Sequence, residues 1–160
     1  MKEGKAQQRI GDLLRGRGWR LAVAESCTGG LVGHMVTNVP GASTYFLGGV
    51  IAYDYHAKVR LLGVSWETLE NHGAVSEATV KEMARGVRQA LGADIGLSIS
   101  GIAGPTGGTP EKPVGTVWIG LDTETGSWTQ EHHAQGDRLA NKEEFAAAAL
   151  TFLWEHLKNQ

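Results

Sequence analysis

Residues 20–41 read "RLAVAESCTGGLVGHMVTNVPG", and the order of features within them decides the class of fold. "RLAVAE" at 20–25 is a short apolar run of strand length, read as a buried strand. "SCTGG" follows, with Gly29 and Gly30 free to take backbone conformations closed to other residues. Leu31, Val32, Met35, Val36 and Val39 then recur at helical spacing, and Pro40 and Gly41 close the segment. The unit is strand, glycine turn, helix.

The rest of the chain repeats this alternation. Ile10, Leu13 and Leu14 mark a helix over about 5–14, ended by Gly16 and Gly18. "GGVIAY" at 48–53 is a second strand, followed by a helix from His56 to Leu62 that carries Lys58, and residues 65–72 form another helical turn. Ser76 caps a longer helix whose stripe is Val80, Met83, Ala84, Val87 and Leu91, with Gly92 at its end. "DIGLSIS" at 94–100 is a third strand. Strands over 115–122 and 127–134 form an antiparallel pair turning near Glu124, Thr125 and Gly126. Asn141 and Glu144 make a capping box for a last helix that buries Phe145, Ala149, Phe152 and Leu153. The expected architecture is a three-layer α/β/α sandwich with a mixed, mostly parallel sheet, as one domain over 1–160.

Composition narrows the function classes. A chain of 160 residues forms one domain and buries roughly 70% of the surface its unfolded chain exposes. Cys27 is the only cysteine, so neither an intrachain disulfide nor a cysteine-rich metal site can be built, and a reducing, cytoplasmic setting is expected. The first residues lack the apolar core of a signal peptide. "FAAAALTFLW" at 145–154 is shorter than the roughly 20 residues a membrane span requires. Fifteen basic residues against seventeen acidic ones give a formal charge of -2, and only Arg15, Arg17 and Arg20 cluster, which argues against a nucleic-acid footprint. Six histidines include no HExxH pair, and His132 and His133, adjacent in a strand, face opposite ways. The histidines read as ordinary surface or core residues.

Candidate chemistry concentrates at three places. Ser26, Cys27 and Thr28 follow the carboxyl end of a strand, where open α/β sheets bind ligands, and Gly29 and Gly30 permit close approach to an anion or oxyanion. Spacing alone reads Ser26 or Thr28 equally well as a helix cap. No Walker A, GxGxxG or GxSxG pattern is present. Lys58, just past the second strand, becomes a base for a hydroxyl if burial removes its proton, and is otherwise an ordinary solvated lysine. "GIAGPTGGTPEKPVG" at 101–115, with five glycines and three prolines, is a long loop of the kind that carries function, with Gly101 and Gly104 able to offer bare amides. Arg138 in "GDR" reads equally as a phosphate fork or as an ion-pair partner of Asp137. Cys27 has no visible histidine partner and reads as a buried thiol.

Taken together, "AESCTGG" at 24–30, "PGAS" at 40–43, "GGVIAY" with Lys58, "LLGV" at 61–64, "HGAVSE" at 72–77, "SISGIAGPTGG" at 98–108, "KPVGTVW" at 112–118 and "GDR" at 136–138 resemble the CinA C-terminal domain family. The blocks are in order and span almost the whole chain. Stand-alone members include nicotinamide mononucleotide deamidases. The resemblance implies hydrolysis of nicotinamide mononucleotide to nicotinate mononucleotide and ammonia, with no cofactor, by a homodimer whose partner is a small pyridine nucleotide rather than a nucleic acid or membrane. It implies Ser26 as nucleophile, Lys58 as base and Tyr53 beside them. Thr28, Gly29, Gly30, Ser43, Gly101, Gly104 and Arg138 are the implied substrate contacts. The alternative is a non-catalytic nucleotide-binding module acting through a protein partner. One departure stands out: the family commonly reads Tyr-Ser-Asn-Glu where this chain reads Tyr53-Asp54-Tyr55-His56.

Overall fold

The computed structural model describes residues 3–160, so Met1 and Lys2 of the N-terminal stretch lie outside the described residues. Strand β1 (Leu21–Glu25) is buried along its whole length. Its side chains alternate, Leu21 and Val23 entering one hydrophobic cluster and Ala22 and Ala24 another. A strand buried on both faces belongs at the centre of a sheet. β1 is paired in parallel with β2 (Phe46–Ile51) and with β3 (Ile95–Gly101). β4 (Thr116–Thr123) runs antiparallel to β3, and β5 (Gly126–His133) antiparallel to β4. The order is β2-β1-β3-β4-β5, so every strand but β4 points the same way.

Helices cover both faces. α1 (Glu3–Arg17), α2 (Leu31–Thr37) and α6 (Arg138–Lys158) lie on the side of Leu21, Val23, Leu97, Ile99 and Ile119. There Ile10, Leu14, Val36, Phe145 and Leu153 complete the larger cluster. On the other side α3 (Tyr55–Leu62), α4 (Trp66–His72) and α5 (Glu77–Leu91) meet small residues. α5 lies hard against the sheet. A Cβ added to Gly96 would stand 2.0 Å from the Ala84 carbonyl oxygen and one on Gly120 2.4 Å from that of Val80. The Ser98 hydroxyl donates to the Val80 oxygen at 2.6 Å.

Several boundaries differ from the sequence expectation, each for a tertiary reason. β2 starts and stops two residues earlier than 48–53, because its pairing ends at Glu25 opposite Ile51. Beyond it the Ala52 amide still donates to the Glu25 carbonyl at 2.8 Å, but Tyr53 has left the sheet. α1 runs through Gly16 and stops at Gly18, which takes a left-handed φ of 67°. α6 begins at Arg138, capped by the Asp137 carboxylate on the Ala140 amide at 2.9 Å. The expected capping box is therefore not the start of the helix. Asn141 is buried within it and turned to other use. In α5 the Ser76 cap is present, and Val80, Met83, Ala84 and Val87 are fully buried. Leu91 stays 37% exposed, in the last turn before Gly92 redirects the chain into β3.

The tight seat of α5 makes a sharp prediction. Gly96→Ala forces helix and sheet apart and should destabilise the fold by about 1–3 kcal/mol or more, the range for overpacking. Gly16→Ala meets nothing within 4 Å and should stabilise by up to roughly 1 kcal/mol. Urea unfolding midpoints of the two variants, moving in opposite directions, check both.

Candidate active site

The site forms where β1, β2 and β3 end. Ser26 prolongs β1 by one residue, its amide donating to the Ile99 carbonyl at 3.1 Å. The chain then turns, with the Gly29 amide donating back to the Ser26 carbonyl at 3.1 Å. Gly29 and Gly30 have φ of 61° and 109°, values that strongly favour glycine.

The residue that organises this turn is Glu25, to which sequence reasoning assigned no role. Its buried carboxylate accepts the Thr28 hydroxyl at 2.6 Å and the amides of Gly30, Val32 and Gly33 at 3.2, 2.9 and 3.0 Å. The free amides of the first turn of α2 are thereby consumed from inside the protein. The signal was available as a glutamate six residues before the start of the helix, but capping rules look for the cap immediately before it, and here the turn brings it from the strand.

α3 supplies the second group. Asp54 caps it through the Ala57 amide at 2.7 Å, and Gly63 ends it in a left-handed conformation. One turn in, Lys58 points into the molecule and is wholly buried. Its Nζ lies 2.9 Å from Ser26 Oγ, 2.7 Å from the Ala52 carbonyl and 3.2 Å from the Tyr53 carbonyl. Those carbonyls are available because the chain leaves β2 there. Burial lowers the pKa of Lys58 from its ordinary 10.5 to about 8, against the smaller opposing pull of Cys27 and Asp54. As an ammonium it donates to all three oxygens. As a neutral amine it keeps two N–H bonds to the carbonyls and turns its lone pair to the serine hydroxyl. Both states therefore fit one geometry.

Cys27 lies beside this pair, buried, and burial pushes its thiol up to about 12. It is a poor nucleophile at neutral pH. A cleft of about 210 Å³ opens here, lined by Cys27, Tyr53, Gly101, Ile102, Gly104 and Arg138 among others. Arg138 does not pair with Asp137: its guanidinium donates to the Gly104 carbonyl at 2.7 Å and to the Tyr53 hydroxyl at 3.1 Å. Asn141 donates to the Ala103 carbonyl at 3.0 Å and accepts from the Gly136 amide at 2.8 Å, holding the loop to the start of α6. Gly101 is required by β4, since a Cβ there would stand 2.8 Å from the Thr116 carbonyl oxygen. Gly104, at φ 86°, would meet Val114 at 2.5 Å.

The structure thus gathers Ser26, Lys58, Tyr53, Gly101, Gly104 and Arg138. Two other sequence candidates fall elsewhere. Thr28 turns its hydroxyl inward to Glu25, and Ser43 sits exposed in a 3-10 turn, Ala42–Thr44, before β2, at the opposite end of the sheet. The amides of Gly29 and Gly30 are committed to Ser26 and Glu25. The departing residues Tyr55 and His56 face Trp66, with ring centroids 6.4 and 5.0 Å from it, rather than Lys58. A larger concavity of about 300 Å³ lies at the amino end of β3, lined by Trp19, Arg88, Asp94 and Glu124 among others. It contains no nucleophile–base pair, and Arg88 is held by Asp122 at 2.6 Å.

With this geometry in view, comparison with known proteins is direct: the family model of the CinA C-terminal domain matches residues 3–157. The chain belongs to the CinA C-terminal domain family. A CinA-like protein of Salinibacter ruber is 54% identical over 141 residues, covering 88% of this chain and 34% of the relative. Another, from Thermotoga maritima, is 49% identical over 160 residues, covering 100% of this chain and 39% of the relative. The chain thus spans about a third of the length of these curated relatives. The crystal structure of a competence-damaged protein (CinA) superfamily protein from Klebsiella pneumoniae superposes with a TM-score of 0.95 at 37% identity, covering 100% of both chains. The competence/damage inducible protein CihA of Agrobacterium tumefaciens gives 0.93 at 34%, over 99% of this chain and 96% of its own. Among the described residues, no helix is long and apolar enough to cross a membrane.

The buried lysine has a signature in stability. Between about pH 8 and 10.5 the unfolded chain holds the Lys58 proton and the folded protein does not. Stability from this group therefore rises with pH across that window, by at most about 1.4 kcal/mol per unit. Wild type should gain on Lys58→Met as pH is raised from 8 to 10 in urea titrations; parallel curves would show that Lys58 titrates normally.

Proposed function

We propose that this site is a serine–lysine amidohydrolase centre and that it deamidates nicotinamide mononucleotide. The observation that carries the reading is the 2.9 Å contact between Ser26 Oγ and a buried, depressed lysine. A serine hydroxyl is a weak nucleophile near neutral pH and needs a neighbouring base, and a desolvated lysine is one.

In the proposed reaction, neutral Lys58 takes the Ser26 proton as Oγ bonds to the carboxamide carbon. The carbonyl π bond opens to an oxyanion, which in this reading is received by backbone amides of the turn that follows the nucleophile. The resulting ammonium returns its proton to the leaving nitrogen. The C–N bond breaks, ammonia departs and an ester to Ser26 remains. Water then gives a proton to Lys58 and its oxygen to the ester carbon, and collapse releases the acid and restores Ser26. The ring of Tyr53, 61% exposed at the cleft mouth, suits stacking on the cationic pyridinium. Arg138 retains donors for the phosphate beyond the two it spends on Gly104 and Tyr53. Family membership supports the substrate, and the same reading takes the chain as one catalytic domain acting in the cytoplasm as a homodimer.

Purified protein given nicotinamide mononucleotide should release ammonia and nicotinate mononucleotide. Their absence favours the module that binds a nucleotide and acts through a protein partner. Ser26→Ala and Lys58→Met should each lower kcat by at least about a thousandfold. Near-normal turnover by Ser26→Ala would make a directly attacking water the nucleophile. Because the base must be neutral, kcat/KM should rise about tenfold per unit of pH up to about 8 and then level. Arg138→Ala should raise KM more than it lowers kcat, measured in the same assay.

A further inference from the structure

A mononucleotide carries a phosphate, and the usual receiver for it in an α/β fold is the helix after the first strand. Here that receiver is closed: the Glu25 carboxylate already occupies the amides of Gly30, Val32 and Gly33. A phosphate brought there would displace, or be repelled by, a buried carboxylate. The anion must be met by cations on another element.

α6 presents two at its start. Arg138 and Lys142 are four residues apart in the helix and so share one face. Arg138 is partly spent, on the Gly104 carbonyl and the Tyr53 hydroxyl. Lys142 is half-buried, and its Nζ lies 4.0 Å from where a Cβ on Gly29 would be, over the turn that carries Ser26. Among the described residues it has no hydrogen bond or ion pair, whereas Lys58, Lys81, Lys112 and Lys158 each have one. Chain neighbours of Gly29 apart, that nitrogen is the one atom among the described residues within 4 Å of the position a Cβ on Gly29 would take.

We propose that Lys142 is a substrate-binding residue that recognises the phosphate of a phosphorylated amide substrate, with Arg138 as its neighbour on the same face of α6. Arg138 ties the cleft wall together while sharing the anion, and Lys142 supplies the uncommitted charge. The nature of the substrate rests on the function proposed above; the anion site itself does not.

Two measurements separate them. In the first, kcat and KM are determined for nicotinamide mononucleotide and for nicotinamide riboside, which lacks the phosphate. Lys142→Met should raise KM for the mononucleotide about tenfold or more, the worth of a charge-assisted hydrogen bond. The preference in kcat/KM for mononucleotide over riboside should fall by a similar factor, and Lys142→Arg should restore most of it. An equal loss on both substrates, or an unchanged KM, overturns the proposal. In the second, inorganic phosphate is titrated while the amide resonances of Gly29 and Gly30 are followed by NMR. Wild type should saturate at lower phosphate than Lys142→Met by about tenfold. If the protein deamidates nothing yet shows that difference, the function reading fails and the anion site stands. If it deamidates the mononucleotide and the two titrations coincide, the anion site fails and the function stands.

Discussion

A lysine with no exposed surface is the constraint around which the molecule is arranged. Burying an ammonium is costly unless every donor is met, and Lys58 meets three oxygens. Two of them exist only because the chain leaves β2 one residue after its pairing with β1 is complete, presenting the carbonyls of Ala52 and Tyr53 to α3. The third is the hydroxyl proposed to react. Desolvation and hydrogen bonding thus pull on the same group, one favouring loss of the proton and the other holding the nitrogen against Ser26.

The second buried charge in this region has a different task. Glu25 takes four hydrogen bonds from the turn that follows it and so fixes the position of Ser26 from within. It also closes the amino end of α2 to external anions. Under the proposed assignment, a negative charge that enters the cleft is met by Arg138 and Lys142 of α6 instead. Asn141 and Arg138 tie the carbonyls of Ala103 and Gly104 to the start of α6.

Much of the fold was readable from the chain because the signals are local. The stripe Val80, Met83, Ala84 and Val87, the Ser76 cap and the Gly92 terminator act over one or two turns of helix. The element order that follows from them is the one observed. Errors occur where two local signals compete. Asp137 and Asn141 are both good caps, and what separates them is the use of Asn141 by Ala103 and Gly136, which lie outside the helix. The family resemblance makes Thr28 a substrate contact, and spacing reads it equally well as a helix cap. It is drawn inward by Glu25, whose reach across the turn no spacing rule describes.

The sequence by itself determined the alternation of strands and helices, the two-sided burial of β1 and the presence of a hydroxyl, an amine and an arginine near strand and helix ends. Only the tertiary structure decided that Ser26 and Lys58 touch, that burial raises the Cys27 thiol and that Lys142 stands over Gly29 with no hydrogen bond or ion pair among the described residues. The physical reason is range. Periodicity and capping are set by neighbours within a few residues, whereas the proton affinity of a lysine depends on how much water the whole fold removes from it.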